Sequence, residues 1–246
     1  PRLMNTREKI IALTEHHPDL CPEFLLLLNF NAALAAMTAQ QFVREILVDA
    51  LSIQAVVIGD DFRFGHDRQG NLELLKTLGT KHGFEASALP TQQVAEQRVS
   101  STHIRDALLN DQFDLAEQML NRPYQICGRV AHGDKRGRSI GFPTANIHLH
   151  RPQTPLYGVY SVTMHSDTFG RVPGIANVGR RPTVNGEHVQ LEVHLFDFDQ
   201  DIYGKHVCVS FHQKIRDEKK FESFDDLKQQ IQLDCVEARK LHKING

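Results

Sequence analysis

Apolar residues in the first half of the chain recur in two patterns, a helical spacing and short continuous runs. Thr38 and Gln41 form a capping box before an amphipathic helix whose apolar residues return every three or four positions. Apolar runs that alternate with helices are typical of a parallel sheet covered on both faces. Further helices are predicted at 71–81, 101–109 and 113–120, and strands at 23–30, 54–59 and 84–89.

The second half alternates apolar and other residues with the period of two that marks strands. Val207, Val209 and Phe211 face one side of such a run, as in a strand with one buried face. Ser223 and Asp226 make a capping box that opens a final helix of about five turns. We therefore expect a barrel or sandwich closed by a C-terminal helix. Its strands are predicted at 124–130, 158–165, 189–196 and 206–212.

The change of pattern near Asn121–Pro123 predicts two domains, residues 1–122 and 123–246. Lys and Arg total 28 and Asp and Glu total 30, and this balance argues against a protein that holds nucleic acid by bulk positive charge. Runs of large apolar residues such as Phe24–Leu28 are far too short for a membrane span. The four cysteines are scattered without a C-x-x-C pair, which favours a reducing cytoplasm over a disulfide framework or a zinc site.

The densest stretch of glycine and polar residues runs from Gly128 to Asn146. Gly133, Lys135 and their neighbours have the composition of a phosphate cradle, in which backbone N–H groups approach an anion. A mobile, solvated hairpin loop has the same composition. Because no G-x-x-x-x-G-K-[ST] motif is present, composition alone favours the loop.

Pro143 stiffens the segment at the end of this stretch. In an extended chain Thr144 and Asn146 share a face, so that a hydroxyl and an amide oxygen lie two residues apart. Oxygen ligands of this kind suit Mg²⁺, which also binds through substrate phosphates. The alternative is a turn that leads into a strand, with both side chains bonded to local backbone.

These residues together form a signature. The stretch from Gly128 resembles the riboflavin kinase pattern G-R-V-x-H-G-D-x-x-G-R-x-x-G-F-P-T-A-N, and further segments follow in that family's order, at 174–183, 191–195, 201–204 and 214–218. In the first half, 59–65 and 99–105 resemble segments of FMN adenylyltransferase domains. Nearly the whole chain therefore resembles the bacterial bifunctional riboflavin kinase/FAD synthetase family.

The resemblance implies a Rossmann-like nucleotidyltransferase domain, a parallel sheet with helices, followed by a riboflavin-kinase β-barrel with a C-terminal helix. The implied activity is phosphorylation of riboflavin to FMN with ATP and Mg²⁺, and adenylylation of FMN to FAD in the full-length parent. Riboflavin, FMN and ATP are then the partners. No tightly bound prosthetic group, nucleic acid or membrane is expected, and the oligomeric state is left open.

In the kinase half, the resemblance assigns roles to particular residues. Glu192 is the expected catalytic base, because it points away from the apolar face of its strand; an ordinary exposed carboxylate is the alternative. Thr144 and Asn146 match the family's Mg–ATP pair. Gly133 and Lys135 match the flap over the nucleotide phosphates.

Four further residues of this half are candidates. Arg216 matches a family arginine near the flavin, with a surface ion pair as the alternative. Asn177, Arg180 and Thr183 are second-rank candidates on an expected active-site loop.

In the adenylyltransferase half, Ser101, Thr102 and Arg105 match a motif that holds ATP phosphates at a helix N-terminus. A plain N-cap with a surface arginine is the alternative. Gly59 and Asp60 follow a predicted strand at the carboxyl edge of the sheet and are second-rank candidates. The family's glycine-rich motif G-x-F-D-G-x-H-x-G-H does not occur in the 246 residues, so the first strand–helix segment is expected to be missing and little FAD is expected from this chain.

Proteins of other classes compete with this interpretation. A non-catalytic flavin-binding module is the first, and ATP-dependent formation of FMN separates it from a kinase. A barrel for single-stranded nucleic acid needs stacking aromatics, whereas aromatic residues are 7% and Trp is absent. The 14 histidines are scattered, which disfavours a metal protein.

Overall fold

The computed structural model describes residues 2–15, 21–132, 141–149, 153–183 and 186–243. The chain divides into two compact units, Pro22–Arg98, and Pro1–Cys21 together with Val99–Gly246. The helices are α1 (Thr6–Glu15), α2 (Ala32–Ala36), α3 (Ala39–Gln41, continued by the π-helix Phe42–Ala50), α4 (Leu72–His82), α5 (Ser101–Leu109), α6 (Phe113–Leu120) and α7 (Phe224–Leu241). The strands are β1 (Ala55–Gly59), β2 (Glu85–Leu89), β3 (Gln93–Val94), β4 (Gln97–Arg98), β5 (Tyr124–Ala131), β6 (Ala145–His148), β7 (Gly158–Ser166), β8 (Gly170–Thr183), β9 (Gly186–Leu195) and β10 (His206–Arg216).

The unit Pro22–Arg98 is a small α/β structure around the parallel pair β1–β2. The predicted capping box is confirmed, since the Thr38 amide donates to Gln41 Oε1 at 3.0 Å and the Gln41 amide to Thr38 Oγ1 at 3.2 Å. Helix α4 ends at Gly83, where φ is 82°, a left-handed conformation that favours glycine. The core of the unit is formed by Ala39, Val43, Phe64, Leu75 and Phe84.

Two expectations for this unit are wrong. The segment 23–30 is not a strand, and its apolar side chains are exposed, Phe24 by 85% and Phe30 by 83%. A continuous apolar run does not reveal whether a neighbouring strand exists to pair with it, and among the described residues no strand pairs with this one. Strand β1 is also not buried on both faces, because Val57 is 57% exposed.

The second unit is built on a closed, antiparallel barrel of six strands in the order β10-β5-β6-β9-β8-β7. The predicted barrel is confirmed and the sandwich alternative is excluded. Alternate residues fill the interior, as the period of two requires. Fully buried interior side chains include Ile126, Val162, Met164, Leu191, Val193 and Val209.

Helices cover the barrel from several sides within this unit. The ring of Phe113 in α6 meets Tyr160 in β7 with centroids 5.7 Å apart. Glu8 in α1 accepts a hydrogen bond from the Cys127 amide in β5 at 3.0 Å. Helix α7 begins at the predicted N-cap Ser223 and packs on the outside of β7, β8 and β10. The domain boundary at 122/123 stays a prediction; the compact unit resumes at Val99 and includes α5 and α6.

Cys127 and Cys208 are joined by a disulfide, which the scattered cysteines of the sequence did not predict. The two cysteines are 81 residues apart in the chain. They lie directly opposite each other in the β5–β10 register, which the spacing of cysteines along the sequence does not reveal. Among the described residues, no helix is both long enough and apolar enough to cross a membrane.

Candidate active site

Three neighbouring strands bring Asn146, Glu192 and Asn177 into one row. Glu192 on β9 lies opposite Asn146 on β6 and, on its other side, opposite Asn177 on β8. Directly opposed residues of an antiparallel pair point to the same face. The neighbours Leu191 and Val193 are fully buried inside the barrel. The row therefore lies on the outer face, and the predicted outward orientation of Glu192 is confirmed.

The amide of Gln190 links two members of this row. Its Nε2 donates to Asn146 Oδ1 at 2.5 Å and to Glu192 Oε1 at 2.9 Å. Gln190 precedes Glu192 by two residues on β9, so both side chains point to the same face. The link fixes a carboxylate beside an amide oxygen on the adjacent strand.

The Pro-Thr-Ala-Asn segment (Pro143–Asn146) leads into β6 beside this row. Asn146 is the second residue of β6, so the segment does lead into a strand, but Asn146 Oδ1 accepts from the Gln190 side chain and not from local backbone. His194 Nδ1 bonds to the carbonyl oxygen of Pro143 at 2.9 Å, and the ring of Phe142 meets His194 edge-on at 5.3 Å. Burial lowers the pKa of His194, and the bond to Pro143 opposes that shift.

The second-rank candidates of the kinase half, Asn177, Arg180 and Thr183, lie on strand β8. The expectation that they lie on a loop is therefore wrong. Asn177 is in the row, and its Nδ2 approaches Glu218 Oε1 at 3.5 Å. The Arg180 guanidinium lies 4.7 Å from the ring centroid of Tyr157. Thr183 ends β8, and its side chain lies outside what is described. Gly133 and Lys135 lie outside the described residues.

Arg216 on β10 lies level with the row. It is opposite Val159 on β7, and Val159 is in turn opposite Asn177 on β8. Its Nε and Nη2 bind the carboxylate of Asp234 in α7 at 2.9 and 2.8 Å. Arg216 therefore does form an ion pair, as the alternative predicts. The pair is not on the surface, since Asp234 is only 2% exposed. The flavin role of Arg216 stays a prediction.

The candidates of the Pro-Thr-Ala-Asn segment and Glu192 carry oxygen atoms, which Mg²⁺ prefers as ligands. Thr144 supplies a hydroxyl, Asn146 an amide oxygen and Glu192 a carboxylate. In the part of the chain that is described, no group of three or more His, Cys, Asp or Glu residues is placed to hold a metal. This set fits an ion that is carried mostly by substrate phosphates and water and needs few protein ligands.

The candidates of the adenylyltransferase half occupy two places in the fold. Ser100 is the N-cap of α5, its Oγ accepting from the His103 amide at 3.2 Å, and Ser101 and Thr102 form the exposed first turn. The backbone N–H groups of a first helical turn have no partner within the helix and favour anions. Arg105 lies one turn further along α5.

Gly59 ends β1, and Asp60 follows it at the carboxyl edge of the parallel pair. Asp60 accepts from the Thr91 amide at 3.0 Å and from the Thr91 hydroxyl at 2.7 Å. This hydroxyl lowers the pKa of Asp60. Asp60 therefore ties the ends of β1 and β2 together, and a ligand-binding role for it stays a prediction.

Sequence reasoning missed three side chains that contact the row or its ends: Gln190, Glu218 and Asp234. Gln190 carried a usable signal, because it lies two residues before Glu192 on a strand of period two. Glu218 and Asp234 carried none, since their partners, Asn177 and Arg216, are 41 and 18 residues away.

Comparisons with known proteins agree with this architecture. Residues 120–242 match the family model described as riboflavin kinase, and residues 1–103 match the one described as FAD synthetase. The chain is 47% identical over 238 residues to the bifunctional riboflavin kinase/FMN adenylyltransferase of Haemophilus influenzae, covering 97% of this chain and 76% of that protein. The chain belongs to the bifunctional riboflavin kinase/FMN adenylyltransferase family. Its predicted fold class and enzyme family are thereby confirmed.

Other members of the family are similar over the same extent. The Escherichia coli K12 protein of the same name is 44% identical over 239 residues, covering 97% of this chain and 75% of that protein. Among solved structures, a Streptococcus pneumoniae protein described as a macrolide-efflux protein superposes with a TM-score of 0.78 at 35% identity, covering 94% of this chain and 73% of that one. That likeness covers both halves of the riboflavin kinase/FMN adenylyltransferase architecture.

Proposed function

We propose that this chain transfers the γ-phosphoryl group of ATP to the terminal ribityl hydroxyl of riboflavin, which yields FMN and ADP. The observation that carries the proposal is the row of Asn146, Glu192 and Asn177 on the outer face of the barrel. Phosphoryl transfer needs little covalent chemistry from the protein. It needs positioned groups, neutralised charge and an acceptor for the hydroxyl proton.

Glu192 is the acceptor in this proposal. Its carboxylate takes the proton of the attacking ribityl hydroxyl as the oxygen forms its bond to phosphorus and the bond to the leaving ADP oxygen breaks. The amide of Gln190 holds Glu192 Oε1 at 2.9 Å, so the carboxylate has a defined orientation. Its outer-face position gives a substrate access that a barrel-interior position would not.

Thr144 and Asn146 are the proposed residues for Mg²⁺ and ATP. Bound Mg²⁺ would neutralise charge on the transferring phosphates. Both residues belong to the stiff Pro-Thr-Ala-Asn segment, and the Asn146 oxygen lies on the strand next to Glu192. Thr144→Ala is expected to raise the KM for Mg-ATP and to leave riboflavin affinity unchanged, which fluorescence quenching of riboflavin measures independently of turnover.

We also propose that the first half takes part in the adenylylation of FMN that the names of the relatives state for them, with little FAD made by these 246 residues, which lack the G-x-F-D-G-x-H-x-G-H motif. Ser101, Thr102 and Arg105 would hold ATP phosphates at the start of α5, where helix N–H groups favour anions. Gly59 and Asp60 are separate candidates for ligand binding, at the carboxyl edge of β1 and β2 within their own unit.

The test of the proposed kinase function is direct. The purified chain is incubated with riboflavin, ATP and Mg²⁺, and flavins and nucleotides are separated by chromatography. The proposal predicts FMN and ADP in equal amounts, and no FMN when ATP is omitted. A non-catalytic flavin-binding module would bind riboflavin and return it unchanged, which would overturn the proposal.

A further inference from the structure

Two side chains that flank Glu192 on β9 bond to the two ends of the Pro-Thr-Ala-Asn segment. Gln190 Nε2 bonds to Asn146 Oδ1 at 2.5 Å, and His194 Nδ1 bonds to the Pro143 oxygen at 2.9 Å. The side chains of Gln190, Glu192 and His194 all point to the outer face, because they alternate with buried residues along the strand. The segment proposed to hold ATP is thus bonded on both sides of the proposed base.

We propose that Gln190 and His194 are positioning residues of the phosphoryl transfer, which hold the Pro-Thr-Ala-Asn segment in a fixed relation to Glu192. This inference rests on the proposed function and adds to it the residues that set the geometry of the site. Neither residue touches the reacting atoms in the proposal; both act through Glu192, Asn146 and the backbone at Pro143.

The chemistry of each bond suits this role. An amide nitrogen carries two hydrogens, so Gln190 can donate to Asn146 and Glu192 at the same time. The Asn146 oxygen has two lone pairs, so it can accept from Gln190 and still face a cation. A carbonyl only accepts, so the bond to Pro143 requires the proton of His194 on Nδ1.

We expect the fold to keep its stability without these two bonds. Strands β6 and β9 already pair through their backbones over four registered positions, and Ile147 and Leu191 fill the interior between them. Gln190 and His194 are half-buried on the outer face. Their contribution is therefore orientation, and the test must separate orientation from stability.

The first test replaces Gln190 with methionine, which keeps the length of the side chain and removes both hydrogen bonds. Removal of a side chain that orients a functional ligand typically lowers activity by about 10- to 100-fold. We expect Gln190→Met to lower kcat/KM for Mg-ATP by about that factor, with riboflavin affinity and melting temperature close to those of the wild type. FMN formation, riboflavin fluorescence quenching and thermal melting give the three readouts.

Gln125→Met is the matched control. Gln125 is also a half-buried barrel glutamine, and its Nε2 donates to Ser210 Oγ at 2.9 Å on strands β5 and β10, away from the row. We expect this variant to keep wild-type kcat/KM. Equal losses in the two variants would overturn the inference.

A double-mutant cycle tests whether Gln190 acts through Glu192. If it does, adding Gln190→Met to Glu192→Gln lowers kcat/KM for Mg-ATP by a smaller factor than the same change does in the wild type. A loss that multiplies fully in the double variant would show that Gln190 acts independently of Glu192, and would contradict the inference.

His194 is tested by comparing two replacements. Asn places an amide N–H near the position of Nδ1 and can still donate to Pro143, whereas Leu cannot. We expect His194→Leu to raise the KM for Mg-ATP about tenfold and His194→Asn to restore most of the loss. Equal kinetics in the two variants would overturn the role of His194. A wild-type chain that makes no FMN would instead overturn the proposed function itself.

Discussion

The carboxylate of Glu192 lies between two asparagine side chains on neighbouring strands, Asn146 and Asn177. Amides are neutral, so they orient a carboxylate and a substrate without adding charge that would compete with the phosphates of ATP. The candidate Arg216 is held by the carboxylate of Asp234. The carboxylate of Glu192 therefore has neutral amides opposite it on both neighbouring strands, which suits a base that takes a proton.

The buried hydroxyl of Tyr160 is expected to make the stability of the fold depend on pH at high pH. Burial raises the pKa of Tyr160 to about 12. Because the folded-state pKa is raised, its contribution to stability is complete below the unfolded value near pH 10 and is lost as the pH rises toward 12. We expect the free energy of unfolding of the wild type to fall by up to about 1.4 kcal/mol per pH unit more steeply than that of Tyr160→Phe in this window.

Urea unfolding between pH 9 and 12 measures the difference. Tyr160→Phe also loses the hydrogen bond to the Tyr157 oxygen, so it should be less stable by about 1 kcal/mol at pH 8. Tyr203→Phe removes a tyrosine from the loop before β10 and serves as the control. Parallel pH profiles for the wild type and Tyr160→Phe would contradict the expectation.

Individual residues differ in how far the sequence reveals them. The outward orientation of Glu192 follows from the period of two around Leu191 and Val193, and the structure agrees. The sequence also indicates Asn146 and Asn177 as candidates. Their position opposite Glu192, however, follows only from the register of the strands. Register is set by the closure of the whole barrel, which no local pattern records.

At the scale of elements, helix α7 is attached to the barrel by two arginine–carboxylate pairs that differ in burial. Arg216 of β10 binds Asp234 of α7, which is 2% exposed and also accepts from Gln230 at 2.9 Å. Arg239 of α7 binds Asp197, whose side chain is 71% exposed, at 2.8 Å. Burial decides what each pair contributes, because breaking a buried pair leaves a charge without water or partner.

We expect Asp234→Asn to lower the free energy of unfolding by about 3 to 5 kcal/mol. The same change at Asp197 should lower the free energy of unfolding far less, because water replaces the lost partner. Urea denaturation of the two variants measures both values. Equal losses of unfolding free energy at Asp234 and Asp197 would contradict the claim that burial decides how much each pair stabilises the protein.

The elements that sequence predicted best are those whose signals are local. The caps at Thr38 and Ser223 lie within four residues of the groups they bond, and both are confirmed. Strand β8 was missed because Pro173 and three glycines interrupt its alternation, and its pairing with β7 and β9 is what makes it a strand. The segment 23–30 failed for the opposite reason, an apolar run without a paired neighbour.

At the scale of the whole molecule, the barrel unit includes more than the predicted kinase domain. Helix α6 buries Phe113, Ala116 and Met119 within it, and Asp111 pairs with Lys214 at 3.0 Å. A domain that starts at 123 would expose the barrel surface that these side chains cover. The sequence signal for the boundary is a change of pattern, which shows where elements change, and the contacts of α6 are not part of that signal.

Two fragments, residues 99–246 and residues 123–246, test how much the packing of α5 and α6 stabilises the barrel. We expect 99–246 to be more stable by at least about 3 kcal/mol, because burial of one large side chain such as Phe113 contributes about 1.5 to 3 kcal/mol and Met119 adds to it. Urea unfolding of both fragments gives the difference. Equal stabilities would place the boundary at 122/123, as the sequence pattern predicts.

The proposed mechanism depends on the carboxylate of Glu192, which takes the proton of the riboflavin hydroxyl. The measurement is kcat for FMN formation by Glu192→Gln, made together with riboflavin affinity on the same preparation. Glu237→Gln, an exposed change on α7, is the control. We predict a kcat lower by about 10²- to 10⁴-fold for Glu192→Gln, with unchanged riboflavin affinity and an unaffected control. A kcat close to that of the wild type would contradict the claim.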